Sequence, residues 1–220
     1  NTNTVFNIKP QWVKDALINK NDYENIYEKS IQDNENFWKK QGQRIDWIKP
    51  YTKIKDVKYS STNVHIKWYY DGTLNASVNC IDRHALNNPN KIAIIWEGDD
   101  PTVSKKISYK ELLDNVCKTA NALKKLGIKK GDRVTIYLTM VPELAYAMLA
   151  CARIGAIHSI IFGGFSSESI AGRIQDCESE FIITADEGLR GGKIIPLKKI
   201  VDEALIKCPN VKKCLVVKRT

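Results

Sequence analysis

The sequence has 220 residues, of which 43% are apolar and 27% charged, so it can bury a sizeable core and is not typical of a disordered chain. Its apolar runs fall short of the ~18 residues of a membrane span, and its start lacks the pattern of a secretory signal. The net charge is +9, but the lysines are spread along the chain without a nucleic-acid motif. We therefore predict that the protein binds neither a membrane nor nucleic acid.

The six cysteines and three histidines do not form a metal-binding pattern. No two cysteines stand in a CxxC pair, and His65, His84 and His158 are far apart. Reduced thiols of a cytoplasmic protein are a better interpretation than disulfides or zinc ligands. We predict a cytoplasmic location and no metal site.

Residues 1–60 are predicted to form an N-terminal arm of helices and irregular chain. Pro10 opens a short helix through about Ile18, and Asp22 is a candidate cap for a longer one. This stretch has too little apolar material for its own core, so we expect it to pack on a main domain formed by residues 61–220. Its aromatic residues leave a second interpretation open, in which the arm contacts another chain.

The next stretch is predicted to form a strand over 64–70, a turn and a helix within 74–86. Asp82, Arg83 and His84 are residue types used in acid–base chemistry. Consecutive helical residues point in different directions, however, so these three cannot form one site unaided. Structural pairing is therefore favoured over catalysis for them.

From residue 91 onward, strands alternate with helices. The predicted strands are 92–96, 134–138, 156–162, 181–185 and 213–218, and the predicted helices are 109–126, 142–155, 167–176 and 196–206. Because the strands are apolar along most of their length, we expect an α/β fold with a mostly parallel sheet and helices on both faces.

Two loops that follow strands are suited to bind an anion. After Phe162, the glycines Gly163 and Gly164 let the backbone turn tightly and approach a ligand, and Ser166 or Ser167 can cap the next helix. A tight turn without a ligand explains the two glycines equally well. Loops at the carboxyl ends of parallel strands share one edge of the sheet, where ligands bind in such folds.

The second loop, 186–193, has two cations around two glycines. Arg190 and Lys193 flank Gly191 and Gly192, so a phosphate could reach both charges and bare backbone. An exposed loop with solvated charges explains these four residues at least as well. The sequence offers no convincing nucleophile or general base, so we predict no catalytic residue in the chain.

Longer stretches resemble the acetyl-CoA synthetases, which are AMP-forming acyl-CoA synthetases of the adenylate-forming superfamily. The matching stretches keep that family's order and spacing, and they are YEKSIQDNENFW (27–38), IKWYYDGTLNASVNCIDRH (66–84), AIIWEGDDP (93–101), TMVPELAYAMLACARIGAIHSIIFGGFS (139–166) and ITADEGLRGGKIIPLKK (183–199). Propionyl-CoA synthetases are the alternative within the same branch.

The resemblance implies a fold, a reaction and a fragment. The fold would be the first part of the large N-terminal domain of the adenylate-forming enzymes. The reaction would join acetate to the α-phosphate of MgATP, and the CoA thiol would then displace AMP. The family's ATP loop, acyl pocket, magnesium ligands and catalytic lysine lie downstream, so the rest of its own polypeptide would be a partner of this piece. In isolation the piece would be inactive, or at most a nucleotide- or CoA-binding module.

The resemblance also implies a binding role for the two loops. In the family, the segment matching Arg190, Gly191, Gly192 and Lys193 contacts the nucleotide end of CoA, including its 3′-phosphate. The FGGF loop, here Phe162, Gly163 and Gly164, lies near the same group. Lys193 stands where relatives often have arginine and offers a point charge instead of a planar fork. Thr139 stands where relatives usually have proline, which concerns the entry to a helix.

Overall fold

The structure is a computed structural model that describes residues 6–220, so the first five residues of the predicted arm lie outside the described residues. The chain forms two compact units, and the division falls between Leu74 and Asn75. Residues 61–74, predicted with the main domain, thus belong to the first unit. How the arm packs on the main domain stays a prediction.

The first unit combines three helices with a short antiparallel strand pair. The helices are α1 (Pro10–Asp15), α2 (Lys20–Gln32) and α3 (Asn34–Gln41), and the strands are β1 (Lys55–Lys58) and β2 (His65–Trp68). Helix α2 is capped by Asn19, whose side chain accepts the N–H of Asp22, while the Asp22 carboxylate accepts the N–H of Asn19. The prediction of Asp22 as the cap is therefore wrong, because Asp22 is the third residue of this capping box.

Aromatic rings hold this unit together. Trp47, Tyr51 and Tyr69 form a cluster with ring centroids 4.6–5.7 Å apart, and the Tyr69 hydroxyl donates to the backbone oxygen of Trp38 at 2.6 Å. Within the described part of this unit, Ile54 is the buried aliphatic side chain. The unit is thus stabilised chiefly by partly exposed aromatic packing.

The second unit contains the remaining elements. In chain order they are a π-helical turn (Val78–Asp82), α4 (Arg83–Asn87), β3 (Ile92–Glu97), β4 (Ser104–Ser108), α5 (Tyr109–Lys125), β5 (Arg133–Leu138), α6 (Pro142–Ile154), β6 (Ile157–Phe162), α7 (Ser167–Asp176), β7 (Phe181–Ala185), β8 (Gly188–Arg190), β9 (Lys193–Ile195), α8 (Leu197–Leu205) and β10 (Lys213–Val217).

A four-stranded parallel sheet is the centre of this unit. Its strand order is β10-β7-β5-β6, and every neighbouring pair is parallel. Helix α5 packs on α6, and α7 packs on α8. Because the chain passes from β5 to β6 in one direction and from β7 to β10 in the other, right-handed crossovers place α6 and α8 on opposite faces. The α/β fold with a parallel sheet and helices on both faces is confirmed.

Strand β3 is not part of this sheet, contrary to the prediction. It pairs antiparallel with β4 as a separate two-stranded ribbon. The turn between them reverses the chain, since the N–H of Gly98 donates to the Val103 oxygen at 2.7 Å and the N–H of Val103 donates to the Asp100 oxygen at 2.9 Å. The reversal gives β3 an immediate partner along the chain.

An ion pair ties the π-helical turn to helix α6. The guanidinium of Arg153 donates to both carboxylate oxygens of Asp82, at 2.7 Å each, and the two side chains are 23% and 24% exposed. These hydrogen bonds raise the pKa of Arg153. The predicted structural pairing of Asp82 is therefore confirmed.

The two edges of the parallel sheet differ in charge. Among the strands of residues 6–220, β6, with sequence IHSIIF, pairs with β5 alone, and it exposes Ile157, Ile160 and Phe162 to a large extent. At the opposite edge, β10 begins with Lys213 and is followed by Lys218. Along residues 6–220, no helix is long and apolar enough to cross a membrane.

Candidate functional site

A cavity of about 300 Å³ lies where the sheet changes direction. The strands β5 and β7 are neighbours, and the chain leaves β5 toward β6 but leaves β7 toward β10, so their connections run in opposite directions. Such a switch point is the usual ligand crevice of open α/β sheets. The cavity lining comes from segments after several strands, namely 96–99, 138–141, 162–163, 189–190 and Arg219.

The first predicted loop passes close to the neighbouring strand. A Cβ added to Gly163 would lie 2.8 Å from the backbone oxygen of Leu138, so only glycine fits without a shift. The buried Tyr137 hydroxyl donates to the Phe165 oxygen at 3.0 Å and fixes the far side of the loop. Ser166, one of the two predicted caps, accepts the N–H of Ser169 and begins α7.

Replacing Gly163 by alanine is expected to lower the free energy of unfolding by about 1–3 kcal/mol, because the new methyl group meets backbone atoms that cannot rotate away. Gly172, within α7, is the matched control. A Cβ there meets nothing within 4 Å, so Gly172→Ala is expected to be neutral or to stabilise the protein by up to about 1 kcal/mol. Chemical denaturation of the two variants measures the difference. Equal changes in the free energy of unfolding would show that the loop shifts and so removes the clash between the new methyl group and the Leu138 backbone.

The second predicted loop is a short hairpin made by β8 and β9. Arg190 pairs with Lys193 across its end, and Gly191 and Gly192 have φ values of 58° and 72°, which favour glycine. Their N–H groups donate to the two carboxylate oxygens of Asp99 at 2.7 Å each. The backbone at these glycines is therefore already paired, which differs from the bare backbone that was expected.

The structure brings the two loops together through Arg190. Its guanidinium lies over the Phe162 ring, 5.4 Å from the centroid, and a Cβ added to Gly164 would be 3.2 Å from its Nη1 atom. A cation over an aromatic face is a favourable arrangement. Of the seven predicted residues, Phe162, Gly163 and Arg190 line the cavity, while Gly164, Gly191, Gly192 and Lys193 complete the two loops.

Sequence reasoning missed a second arginine of the cavity, Arg219. Its guanidinium lies over the Trp96 ring, 5.1 Å from the centroid, and its backbone N–H donates to the Asp186 carboxylate at 2.7 Å. That bond is the main reason why the pKa of Asp186 is lowered. The Nε atom of Arg219 is buried and has no acceptor among the described residues. Arg219 follows β10, so the rule that ligands bind beyond strand carboxyl ends would have found it.

The cavity can hold an anion with a flat, apolar group attached. The guanidinium groups of Arg190 and Arg219 and the aromatic rings of Phe162 and Trp96 line it. The lining also includes Glu97 and Asp99, and the carboxylate of Asp99 is already bonded to the N–H groups of Gly191 and Gly192. Guanidinium groups bind phosphate through two parallel N–H donors, and aromatic faces stack on planar rings. Within residues 6–220, no three His, Cys, Asp or Glu side chains form a group that could hold a metal ion.

Comparisons with known proteins identify the family. The family model for AMP-binding enzymes matches residues 81–220, and the model for the acetyl-coenzyme A synthetase N-terminus matches residues 23–80. The chain belongs to the AMP-binding enzyme family. The cavity lies within the part of the chain that matches this family.

Several relatives support the same assignment. An acetyl-coenzyme A synthetase of Parvibaculum lavamentivorans is 61% identical over 216 residues, covering 98% of this chain and 33% of the relative. One of Rhizobium rhizogenes is 59% identical over 209 residues, covering 93% and 32%. The resemblance to acetyl-CoA synthetases is thereby confirmed, and the chain spans about a third of these relatives' length.

A solved structure supports the fold. Acetoacetyl-CoA synthetase from Streptomyces lividans matches with a TM-score of 0.80 and 23% identity, covering 89% of this chain and 30% of that one. At this identity the match is evidence for the architecture alone. It agrees with the parallel sheet expected for an AMP-binding enzyme.

Proposed function

We propose that the full-length protein is an AMP-forming acetate–CoA ligase. A carboxylate oxygen of acetate attacks the α-phosphorus of ATP, and pyrophosphate leaves, which gives acetyl-AMP. The CoA sulfur then attacks the acetyl carbon, the bond to AMP breaks and the thiol proton is released, which gives acetyl-CoA. The relatives that are 56–61% identical over nearly the whole of this chain are the reason for choosing acetate.

We propose that residues 6–220 contribute part of the CoA-binding surface and no catalytic residue. The observation that carries this proposal is the stacking of Arg190 on Phe162 in the lining of the cavity, which also includes Arg219. This arrangement suits the nucleotide end of CoA, which combines phosphate groups with a flat adenine ring.

Each predicted residue then has a defined task. Arg190 offers a planar fork to a phosphate group, whereas Lys193 offers a point charge from the other side of the hairpin. Gly163 and Gly164 let the ligand approach the backbone, and Phe162 supplies an aromatic face. Gly191 and Gly192 shape the hairpin between the two cations.

The same proposal includes the reagents and the location. ATP and CoA are substrates, Mg²⁺ accompanies ATP, and the catalytic groups come from the remainder of the polypeptide. We place the protein in the cytoplasm, which the six free thiols support.

Incubation of the full-length protein with acetate, MgATP and CoA tests the reaction. Acetyl-CoA, AMP and pyrophosphate are expected in equal amounts, and propionate in place of acetate is expected to react more slowly. Formation of ADP and phosphate would contradict the AMP-forming reaction. The site is tested by dephospho-CoA, which lacks the 3′-phosphate and is expected to show a KM at least tenfold above that of CoA. Equal KM values would remove the 3′-phosphate contact from the proposal.

A further inference from the structure

Asp99 connects two parts of the second unit that are far apart in sequence. It lies in the turn between β3 and β4, and its Oδ1 and Oδ2 atoms accept the N–H groups of Gly191 and Gly192 at 2.7 Å each. The two glycines have positive φ values, and their consecutive N–H groups point at the same carboxylate. Consecutive N–H groups arranged in this way form a concavity that binds an anion, and here the anion is a carboxylate.

The turn that carries Asp99 is itself firmly held. The N–H of Gly98 donates to the Val103 oxygen, and the Asp100 carboxylate accepts both the N–H and the hydroxyl of Thr102, at 2.8 and 2.7 Å. Strand β3 is fixed near the cavity because the indole N–H of Trp96 donates to the Met140 oxygen at 2.8 Å. Asp99 therefore lies in a turn whose backbone is held by its own hydrogen bonds and by those of strand β3.

The hairpin that Asp99 holds has little support of its own. Strands β8 and β9 have three residues each, and Arg190, Gly191 and Gly192 are exposed. Short exposed hairpins of this kind open easily. The two hydrogen bonds from the Asp99 carboxylate hold the tip of this hairpin at Gly191 and Gly192, the residues that follow Arg190.

We propose that Asp99 is a positioning residue, which holds the tip of the β8–β9 hairpin so that Arg190 stays over Phe162 and presents its guanidinium to a phosphate group of CoA. This inference rests on the proposed function, since it takes the hairpin to be part of the CoA site. Asp99 acts through the hairpin and does not touch the reacting atoms.

The ionised state of Asp99 favours a carboxylate that stays bonded to the hairpin. The N–H groups of Gly192 and Gly191 hold the pKa of Asp99 below its usual value, so the carboxyl group is ionised at neutral pH. Its two oxygens are occupied by these N–H groups, which leaves the guanidinium of Arg190 available for a ligand. In the opposite role, Asp99 would be an internal anion that the phosphate of CoA must displace from the hairpin. Removing Asp99 would then increase the affinity for CoA, whereas the positioning role predicts a decrease.

Amide hydrogen exchange tests the hydrogen bonds between Asp99 and the hairpin without any ligand. In the full-length protein, Asp99→Ala is expected to increase the exchange rates of the Gly191 and Gly192 amides at least tenfold, and Asp99→Asn, which keeps one acceptor oxygen, to have a smaller effect. Asp100→Asn is the matched control, because the change is one residue away and asparagine keeps the Oδ1 atom that accepts both donors of Thr102. Unchanged exchange in both Asp99 variants would overturn the inference.

Steady-state kinetics test the consequence for CoA. Asp99→Ala is expected to raise the KM for CoA about tenfold, to leave ATP–pyrophosphate exchange within twofold and to be partly rescued in Asp99→Asn. Asp100→Asn is expected to stay within twofold of the unchanged protein. A lower KM in Asp99→Ala would overturn the inference in favour of the displaced internal anion.

A comparison with Arg190→Ala distinguishes the positioning role of Asp99 from the proposed CoA site. If Arg190→Ala raises the KM for CoA and Asp99→Ala does not, the positioning role is wrong and the proposed CoA site stands. If Asp99→Ala frees the two amides and neither variant changes the KM, the proposed CoA site is wrong, and the positioning role falls with it.

Discussion

Replacing Arg190 by alanine in the full-length protein is expected to raise the KM for CoA ten- to a hundredfold. The guanidinium lies over the Phe162 ring, and Arg190 lines the cavity, so it can form two charge-assisted hydrogen bonds to a phosphate group there. The loss of a charge-assisted hydrogen bond costs roughly 1.5–3 kcal/mol, which corresponds to this range. The first half-reaction, measured as ATP–pyrophosphate exchange in the absence of CoA, is expected to change little.

Arg173 provides a control of the same chemical type. Its guanidinium lies 5.1 Å from the centroid of the Phe165 ring, yet it is on helix α7 and outside the cavity lining. Arg173→Ala is therefore expected to leave the KM for CoA within about twofold. A conservative change, Arg190→Lys, is expected to recover only part of the affinity, since an ammonium group lacks the planar fork. An equal loss of both half-reactions in Arg190→Ala would show that Arg190 supports the structure instead of the ligand.

Replacing Asp82 by asparagine is expected to lower the free energy of unfolding by about 2–4 kcal/mol. The change removes the negative charge that faces Arg153 and one of the two carboxylate oxygens that its guanidinium bonds, and it leaves a mostly buried cation opposite a neutral amide. Breaking one partner of a fully buried pair costs about 3–5 kcal/mol, and the partial exposure of this pair reduces that figure.

The pair of Arg133 and Glu178 is the matched comparison. Its atoms are 2.8 Å apart, but the two side chains are 44% and 78% exposed. Glu178→Gln is therefore expected to cost less than about 1 kcal/mol. Denaturant unfolding of both variants, followed by a signal from the second unit, measures the two costs. Equal costs would mean that burial does not decide the strength of these pairs.

The boundaries of α7 were predictable because they depend on neighbouring residues, whereas the helix predicted from Pro10 to about Ile18 ends at Asp15. The prediction for 167–176 agrees with α7, whose cap Ser166 and apolar spacing lie within a few residues of each other. The parallel sheet was predictable for a similar reason, since apolar strands alternated with helices of sufficient length. The prediction for β3 is wrong because sheet membership depends on a partner, and the partner β4, with sequence SKKIS, has one buried apolar residue and no apolar run that predicts a strand.

The contacts of the candidate site were less predictable. Asp99 and Gly191 are separated by 92 positions, and a turn residue such as Asp99 carries no sign of a distant partner. Strands β8 and β9 are too short for an alternating pattern to be visible. The position of Arg190 over Phe162 depends on the strand order, which places β5 between β6 and β7 and brings the loops toward a common cavity.

The uncharged edge of the sheet has a consequence for the behaviour of this chain at high concentration. An edge strand presents unpaired N–H and C=O groups to any extended segment that approaches, and proteins usually protect such edges with lysine or proline. Strand β6 has neither residue and carries exposed Ile157 and Ile160, whereas β10 is flanked by Lys213 and Lys218. For a chain that consists of residues 6–220 alone, self-association through strand pairing is thus favoured along β6, and Ile160→Lys is the simplest change that would oppose aggregation.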